Sequence, residues 1–414
     1  MSSSANARGL AIWPEAGLTR VPYALYSDPA IYGRERERLF MGPTWNYLAL
    51  ECEIPKPGDF KSTFVGDVPV IVVRDADGRI NAFENRCVHR GALLCLERFG
   101  NARALTCVYH AWSYDLKGQL KGVAFQNGVK GAGGMPPEFR RDEHRLRPLK
   151  VESFAGLVFG SFDPATAPLA DYLGPEIAAR VRRVLPRPVK VLGYYTQVLR
   201  NNWKLYIENV KDSYHASILH LFFTTFRINR LSQSGGIIVD ESGGHHVSYS
   251  MVGKQGGDGE YAAAALRADS DQFGLKDPTF LSGRDEFADD ITLQILTVFP
   301  TLVLQQINNC LAVRQILPKG LDRAEIVWTY YGFEDDDAAL VAMRLKQANM
   351  VGPAGYISME DGAVGAFVQR ALPGAGDDRS IVMMGGTGAE SQPTRATETS
   401  IRGFWKAYRG LMDV

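Results

Sequence analysis

The amino-acid sequence predicts an α+β protein in which a small all-β domain accompanies a larger domain with an antiparallel sheet. From about Trp45 to Asp163, short apolar runs alternate with turn residues. After Pro164, helical patterns alternate with β-rich runs. A chain of 414 residues with 45% hydrophobic residues is long enough to form two domains of ordinary size.

The all-β domain is predicted from paired strands with tight turns. Residues 68–85 contain two β-rich runs joined by Asp77-Gly78, a dipeptide typical of hairpins. Residues 114–123 repeat this pattern around Lys117-Gly118, and a further apolar run at 154–162 closes the region. The stretch 123–147 is rich in Gly and Pro and is predicted to be a loop excursion.

The larger domain is predicted to combine helices with a substantial antiparallel sheet. Its helical patterns cover Pro175–Val184, Trp203–Leu221, Ala338–Met350, Ser358–Ala371 and Glu398–Met412. Its β-rich runs cover residues 193–201, 245–252, 301–317 and 325–333.

The charge balance and the hydropathy of the chain indicate which classes of partner are not expected. The 46 basic and 46 acidic side chains cancel, so we expect neither nucleic acid nor an anionic membrane surface as partner. The first ten residues lack the apolar segment of a secretory signal, and no run of 18 apolar residues occurs. A cytoplasmic location is therefore the expectation.

Cysteine and histidine residues form a first candidate metal site. Five cysteines are an odd, sparse set, which argues against a disulfide framework. Cys87 and His89 are followed, after 17 residues, by Cys107 and His110. Two loops that each offer one thiolate and one imidazole match a Rieske 2Fe–2S cluster, in which two cysteines hold one iron and two histidines the other. A Cys₂His₂ zinc site is the rival, although its like ligands are usually grouped. Cys95 is expected to be a small buried thiol.

A second candidate site follows about 100 residues later. Asp212 and His215 are three residues apart and share a helix face. His215 and His220 are five apart, which on a regular helix separates them by roughly 140°. Both can reach one metal only if the helix carries a π-type bulge or breaks there. Two histidines and one carboxylate form the facial triad of non-haem Fe(II) oxygenases, whereas a pair of surface or core histidines is the alternative.

The carboxylate of such a triad is sought further along the chain. Asp361 and Glu360 are both candidates, in the segment 355–362. Ser358 and Asp361 also fit a capping box at the start of the following helix. Spacing alone does not separate these roles.

Together the Rieske pattern, the Asp212–His215–His220 group and Glu360-Asp361-Gly resemble the large subunits of ring-hydroxylating Rieske non-haem iron oxygenases over nearly the whole chain. The resemblance implies a Rieske domain at 41–165 inserted into a helix-grip-like catalytic domain formed by 1–40 and 166–414. It implies that Cys87, His89, Cys107 and His110 bind the cluster. It also implies that His215, His220 and Asp361 hold the mononuclear Fe(II).

The same resemblance implies partners and an electron path. Asp212 is expected to bridge to the cluster histidine His110 of a neighbouring subunit, in a trimeric ring of large subunits with small β subunits, α3β3. Since no G-x-G-x-x-G fingerprint follows a strand, the chain is not expected to bind NADH, and a separate NADH-dependent reductase is required. A Rieske electron carrier with an appended binding domain is the rival class of protein.

Within the family the resemblance is strongest to members that act on terephthalate, which implies dihydroxylation of this dicarboxylate by O₂ to a cis-dihydrodiol. Arg314, in an apolar run, and Arg395 are the candidates for binding its two carboxylates. Alternatively, Arg314 pairs with an acidic neighbour and Arg395 is an exposed loop residue. A mono-carboxylated substrate such as anthranilate or salicylate is the alternative function. The apolar walls are expected from Val210, Leu219, Ile295 and Phe299.

Overall fold

A computed structural model describes residues 13, 17–255, 259–264 and 273–414. The chain divides into two compact units, one covering Phe40–Tyr172 and the other joining the described residues up to Leu39 with Leu173–Val414. Both units contain antiparallel sheets, and the second also contains most of the helices. The predicted α+β class is confirmed. No helix in these described ranges is both long and apolar enough to cross a membrane.

The N-terminal segment belongs to the second unit. It contains strand β1 (Arg20–Pro22) and helices α1 (Ala24–Ser27) and α2 (Pro29–Glu35). Asp28 caps α2, accepting hydrogen bonds from the backbone N–H groups of the first turn. Glu35 at the end of α2 is fully buried and accepts hydrogen bonds from side chains of two later helices. This carboxylate therefore anchors the segment to the catalytic unit.

The first unit is an assembly of three small antiparallel sheets. Their orders are β5-β4-β3-β6, β7-β8-β9 and β10-β11-β2. The strands are β2 (Asn46–Leu50), β3 (Asp59–Val65), β4 (Val68–Arg74), β5 (Ile80–Glu84), β6 (Phe99–Asn101), β7 (Leu105–Thr106), β8 (Ser113–Tyr114), β9 (Leu120–Gly122), β10 (Lys150–Phe154) and β11 (Leu157–Ser161). Both predicted hairpin turns form, since Gly78 and Gly118 adopt positive φ between paired strands. Short 3₁₀ turns occur at Glu51–Glu53 and Arg141–Glu143.

The second unit is built on a seven-stranded antiparallel sheet of order β12-β18-β17-β16-β15-β14-β13. Its strands are β12 (Val189–Leu199), β13 (Gln233–Val239), β14 (His246–Gln255), β15 (Ile291–Val298), β16 (Leu302–Ile307), β17 (Cys310–Pro318) and β18 (Ala324–Phe333). Every residue of β16 and β17 is buried, so these strands form the centre of the core. A last short strand, β19 (Arg379–Ile381), pairs with β1.

Four of the five predicted helical patterns form helices in this unit, whereas the fifth does not form a single helix. The helices are α3 (Leu169–Val184), α4 (Trp203–Lys211), α5 (Ala216–Leu219), α6 (Leu221–Thr225), α7 (Gly259–Ala263), α8 (Ala338–Val351), α9 (Ser358–Ala371) and α10 (Thr399–Met412), with a 3₁₀ turn at Pro278–Phe280. The single helix expected over 203–221 is wrong, because the chain breaks into α4, α5 and α6 there. Helix α4 packs against α9, α10 and β17, which places its end over the sheet.

Candidate active site with two metal centres

Two loops of the first unit present the four predicted cluster ligands in matching backbone conformations. The N–H of Cys87 donates to the carbonyl of residue 92, and the carbonyl of Cys87 accepts from the N–H of Gly91 at 2.9 Å. Cys107 repeats both bonds with residues 112 and 111. Gly91 and Ala111 both adopt positive φ, 76° and 55°. The backbone therefore folds each Cys-x-x-x-x segment into the same tight loop, although only one of them carries the glycine that favours it.

The ligand side chains divide by burial. Cys87 and Cys107 are each 2% exposed, whereas His89 lies at the surface. The imidazoles of His89 and His110 come together with ring centroids 4.6 Å apart, and His89 stacks on Trp112. Nδ1 of His110 is buried without a hydrogen-bond partner among the described residues. An orphaned imidazole nitrogen beside a second histidine and two buried thiols is a donor set that fits a 2Fe–2S cluster with two cysteine and two histidine ligands.

Tyr114 supports the first of these cysteines. Its hydroxyl lies 3.3 Å from Sγ of Cys87 and accepts a hydrogen bond from the N–H of Val88. Burial and the neighbouring Cys87 raise the pKa of Tyr114 well above its ordinary value, so the phenol keeps its proton and can donate to a thiolate. A hydrogen bond to a cluster sulfur stabilises the reduced, more negative state. Sequence reasoning missed this residue.

The second site lies where α4 ends. Asp212 is the C-cap of α4, with extended backbone, and its Oδ1 accepts from the N–H groups of Tyr214 and His215. His215 then begins the four-residue helix α5, and His220 ends it with non-helical backbone. Of the two ways proposed to bring the histidines together, the chain therefore uses the break, with no π-type turn between them.

Three side chains converge at this break. Nε2 of His215 and Nε2 of His220 lie 3.4 and 3.2 Å from Oδ1 of Asp361, which is 6% exposed. The ligand atoms of these residues all lie within 4.8 Å of one another. Asn209, which sequence reasoning also missed, lies 3.3 Å from the same carboxylate oxygen. Two imidazoles and one carboxylate facing a common point are a donor set that fits a mononuclear iron.

Charge stabilises this group without a metal. Burial lowers the pKa of His215, but the carboxylates of Asp212 and Asp361 outweigh it and raise the pKa to about 10. Burial also lowers the pKa of His220, but the carboxylate of Asp361 outweighs burial, so that the pKa is raised above its ordinary value. The two imidazoles hold the pKa of Asp361 below its usual range, although burial acts in the opposite direction. The carboxylates therefore favour positive charge at the position where a cation would bind.

Glu360 has a different position from its neighbour Asp361. Its Oε2 lies 2.9 Å from Nδ1 of His220, on the side of the ring away from Asp361. Oδ2 of Asp212 lies 3.3 Å from Nδ1 of His215 in the equivalent position. The capping box considered for Ser358 is wrong, because its hydroxyl donates to the carbonyl of residue 351 and forms no cap. Each histidine therefore has one carboxylate near each of its ring nitrogens. These are Asp212 and Asp361 for His215, and Glu360 and Asp361 for His220.

A cavity adjoins the triad. It is lined by Asn209, Val210, Asp212, Ser213, His215, Ala216, His220, Phe223, Asn229, Ser248, Leu293, Ile295, Gln305, Ile307, Arg314, Ile357, Ser358, Asp361 and Arg395. Both predicted arginines are present on its wall. Of the four expected wall residues, Val210 and Ile295 line it, whereas Leu219 and Phe299 do not.

Both arginines are buried, with 4% exposure for Arg314 and 2% for Arg395. Arg314 lies on β17, donates to the hydroxyl of Tyr206 and stacks over the ring of Trp328. Arg395 donates to the side chain of Asn229 and to a backbone carbonyl, so the alternative of an exposed loop residue is wrong. Burial lowers the pKa of Arg395 to about 10, which leaves it charged at neutral pH. Nε of each guanidinium has no partner among the described residues.

Asp212 lines a second cavity as well as the first. This cavity, on another side of α4, is bordered by Glu208, Val368, Ile381 and Glu398 among others. Burial raises the pKa of Glu208 to about 7, although hydrogen bonds from Trp405 and Tyr26 oppose the shift. Asp212 is 20% exposed and contacts His215 from this side. Asp212 and its neighbour His215 therefore both border the two cavities.

Comparison with known proteins decides the family. The model described as Rieske [2Fe-2S] domain matches residues 44–132, and the model of the ring hydroxylating alpha subunit (catalytic domain) matches 186–413. The chain belongs to the ring-hydroxylating Rieske oxygenase alpha-subunit family. It is an oxidoreductase with a Rieske 2Fe–2S cluster and a mononuclear iron site, as predicted. The zinc-site and electron-carrier alternatives are therefore wrong.

Several members of this family are similar over their full length. The chain is 59% identical to the alpha 2 subunit of the terminal oxygenase component of terephthalate 1,2-dioxygenase from Comamonas sp, covering 97% of each chain. It is 48% identical to the anthranilate 1,2-dioxygenase large subunit from Burkholderia cepacia, covering 97% of this chain and 95% of that one. The large oxygenase component of salicylate 5-hydroxylase from Ralstonia sp is 41% identical, with 97% and 96% covered.

Solved structures agree with the fold. Naphthalene 1,2-dioxygenase from Rhodococcus sp. superposes with a TM-score of 0.79 at 25% identity, covering 95% of this chain and 94% of that one. A quaternary ammonium Rieske monooxygenase gives 0.73 at 20% identity, covering 96% and 98%, which supports the fold alone. Members of the family act as terminal oxygenases with a reductase, typically with a β subunit and as oligomers.

Proposed function

We propose that this chain is the large subunit of a terminal oxygenase that dihydroxylates terephthalate to its cis-1,2-dihydrodiol. Both atoms of O₂ enter the ring, and the two electrons come from NADH through a separate reductase. One observation carries the proposal: two buried arginines with unpartnered Nε atoms line the same cavity as the His215–His220–Asp361 group. The 59% identical relative named for terephthalate supports it.

The cavity's charges match a dicarboxylate. Terephthalate carries a carboxylate at each end of a flat ring, and a guanidinium binds a carboxylate through two parallel hydrogen bonds. Arg314 and Arg395 each retain an unpartnered donor. Between the charges, Val210, Ile295 and other apolar side chains offer a surface for the ring. The two arginines thus orient the substrate, and the apolar walls exclude water from the reacting carbons.

We assign the metal ligands on the same geometry. Cys87, His89, Cys107 and His110 would hold the cluster, and His215, His220 and Asp361 would hold Fe(II). The bound iron would supply O₂ activation, because a three-residue ligand set leaves coordination positions open. Glu360 is hydrogen-bonded to Nδ1 of His220 and so directs its Nε2 atom at the metal position, whereas Asp212 places a negative charge beside Nδ1 of His215.

Asp212 is proposed to carry the electron path between subunits. It contacts His215 and lines the second cavity, so a residue of a neighbouring chain could reach it without entering the substrate cavity. Its proposed partner is the cluster histidine His110 of that neighbour, in a trimeric ring with small β subunits.

The proposed domain organisation has a catalytic domain formed by residues 1–40 and 166–414 and a cluster domain formed by residues 41–165. The two compact units support these bounds. A cytoplasmic location, where NADH is supplied, belongs to the same proposal.

A substrate panel tests the proposed function. The purified oxygenase would be supplied with reductase, NADH and, in turn, terephthalate, anthranilate, salicylate and benzoate, and the products analysed by mass spectrometry. We expect a dihydrodiol from terephthalate with coupled NADH consumption. Turnover of anthranilate or salicylate, without any product from terephthalate, would favour the mono-carboxylate alternative suggested by the 48% and 41% identical relatives.

Arginine variants connect that panel to the site. Arg395→Met removes one charge while keeping an apolar stem of similar length. We expect KM for terephthalate to rise by about 100-fold, because an anion then faces an uncharged wall. KM for benzoate, which needs only one arginine, should change much less. An equal loss on both substrates would contradict the assignment of Arg395 to the second carboxylate.

A further inference from the structure

Gln305 lies on the floor of the substrate cavity, which is formed by one face of the seven-stranded sheet. Ser248, Ile295, Gln305 and Ala312 lie opposite one another in register on strands β14 to β17. Directly paired residues of an antiparallel sheet share a face, so these four side chains form one row across it. Ser248, Ile295 and Gln305 all line the cavity.

Arg314 belongs to the next row of the same face. It pairs with Val303, which is two residues from Gln305 along β16. Side chains two apart on a strand point the same way, so Gln305 and Arg314 occupy diagonal positions on neighbouring strands. Such neighbours are about 7–8 Å apart at their Cα atoms, within reach of a common ligand for long side chains.

The amide nitrogen of Gln305 lacks a hydrogen-bond partner among the described residues. The residue is 1% exposed. Its four directly opposite or same-strand neighbours on this face are apolar: Ile295 and Ala312 lie directly opposite, and Val303 and Ile307 lie two residues away on its own strand. None of the four offers an acceptor. A buried donor without a partner destabilises a protein, so a glutamine at this position requires an explanation.

A bound carboxylate would satisfy both unpartnered donors. Its two oxygens accept about four hydrogen bonds and donate none. Nε of Arg314 is also unpartnered, so Arg314 and Gln305 present complementary donors from adjacent rows. We propose that Gln305 donates through its amide nitrogen to the substrate carboxylate that Arg314 binds, and that it determines specificity for a carboxylate at that end of the ring. This inference rests on the proposed function insofar as an aromatic carboxylate is the substrate.

The test measures dissociation constants of the anaerobic oxygenase for terephthalate and for its monoamide, 4-carbamoylbenzoate. Gln305→Leu keeps the size of the side chain and removes the donor. We expect its dissociation constant for terephthalate to rise about tenfold or more, and KM to rise more than kcat falls. Gln294→Leu is the matched control. Gln294 is a buried glutamine on β15, next to Ile295 in the chain and therefore on the opposite face, and it donates to a backbone carbonyl instead. An unchanged dissociation constant for Gln305→Leu would overturn the inference.

A second variant separates the loss of a contact from a loss of folding. Gln305→Glu is isosteric and places an acceptor against the substrate. We expect it to weaken terephthalate binding more than Gln305→Leu does, and to weaken the monoamide less, because a carboxamide can donate to the new carboxylate. Equal losses on both ligands would contradict the proposal. The visible spectrum of the cluster and the iron content report whether each variant is folded.

A double-mutant cycle with Arg314→Met tests the shared ligand. If both residues bind one carboxylate, Gln305→Leu should cost less in the Arg314→Met background than alone, since the carboxylate is no longer held there. Additive losses would overturn a shared carboxylate. If the unaltered protein bound no aromatic carboxylate at all, the proposed function would be wrong. If the unaltered protein and Gln305→Leu both bound terephthalate tightly, only the role proposed for Gln305 would be wrong.

Discussion

A carboxylate lies behind each of the two histidines that are proposed to hold iron. Nδ1 of His220 lies 2.9 Å from Glu360, and Nδ1 of His215 lies 3.3 Å from Asp212. A carboxylate on the far nitrogen fixes the ring orientation and makes the near nitrogen a stronger ligand. Asp361 and Glu360, adjacent in sequence, therefore serve the same site from opposite sides of one imidazole.

Glu360→Gln should weaken iron binding while leaving the ligand set intact. The amide still accepts a hydrogen bond but carries no charge, so we expect the affinity for Fe(II) to fall by about 10-fold or more. The measurement is iron retained after a timed exposure to a chelator, with the cluster spectrum as an internal reference. Glu325→Gln, which alters a carboxylate paired with Arg323 on the sheet, is the control. Equal retention in both variants would show that Glu360 does not position His220.

Iron binding should also depend on pH. In the metal-free protein, burial lowers the pKa of His215, but Asp212 and Asp361 raise it to about 10. Iron must displace that proton, so affinity should rise with pH over pH 6–8, by up to about tenfold per unit. The folding stability of the metal-free protein depends on pH in the opposite direction. The raised pKa of His215 stabilises the folded state fully below pH about 6.5, and this stabilisation is lost as the pH rises to about 10. Anaerobic Fe(II) titrations check the slope, and a flat profile would refute it.

At the scale of elements, the N-terminal segment is joined to the catalytic unit through one buried carboxylate. Glu35 of α2 accepts hydrogen bonds from Trp203 and Lys204 of α4 and from Tyr408 of α10. Glu35 and Lys204 are both fully buried. Burial lowers the pKa of Lys204, and Glu35 opposes that shift. The pair therefore fixes α4, whose far end carries Asp212.

Glu35→Ala should destabilise the protein strongly. It leaves Lys204 buried without its counter-charge, which typically costs about 3–5 kcal/mol in the free energy of unfolding. Glu37→Ala, at an exposed position two residues on, should change it by no more than about 0.5 kcal/mol. Denaturant unfolding measures both. Combining Glu35→Gln with Lys204→Met removes both charges and should recover much of the loss; no recovery would mean that the ion pair is not the cause.

At the scale of the whole molecule, the proposed electron path needs more than one chain. A variant without a working cluster, Cys107→Ser, and a variant without iron, His215→Ala, should each be inactive. If electrons pass between neighbours in a ring, co-expressed chains should regain activity. When the two variants mix randomly in equal amounts, half of the chains have an intact cluster and half have an intact iron site. About a quarter of neighbouring pairs then join an intact cluster to an intact iron site, so about a quarter of the unaltered activity is expected. Mixed oligomers without activity would show that the electrons stay within one chain.

Much of the chemistry was predictable because it depends on residue types close together in sequence. The proposed cluster ligands lie within two short loops. The five-residue spacing of His215 and His220 predicted a bulge or a break, because a regular helix cannot direct both side chains at one metal. The substrate arginines were weaker predictions, since Arg395 lies outside any helix or strand and has no periodic pattern. Leu219 and Phe299 were wrong as wall residues, because an apolar residue can face any part of a core.

The sequence alone predicts the α+β class, the two sets of candidate metal-binding residues, and either a π-type bulge or a break in the helix that carries His215 and His220. Only the tertiary structure decided that Asp361 and not Glu360 meets both Nε2 atoms, because adjacent residues on a helix point about 100° apart and the packing of α9 sets which one faces inward. It also decided that two arginines distant in sequence share one cavity with Gln305, through strand register and burial that no local pattern encodes.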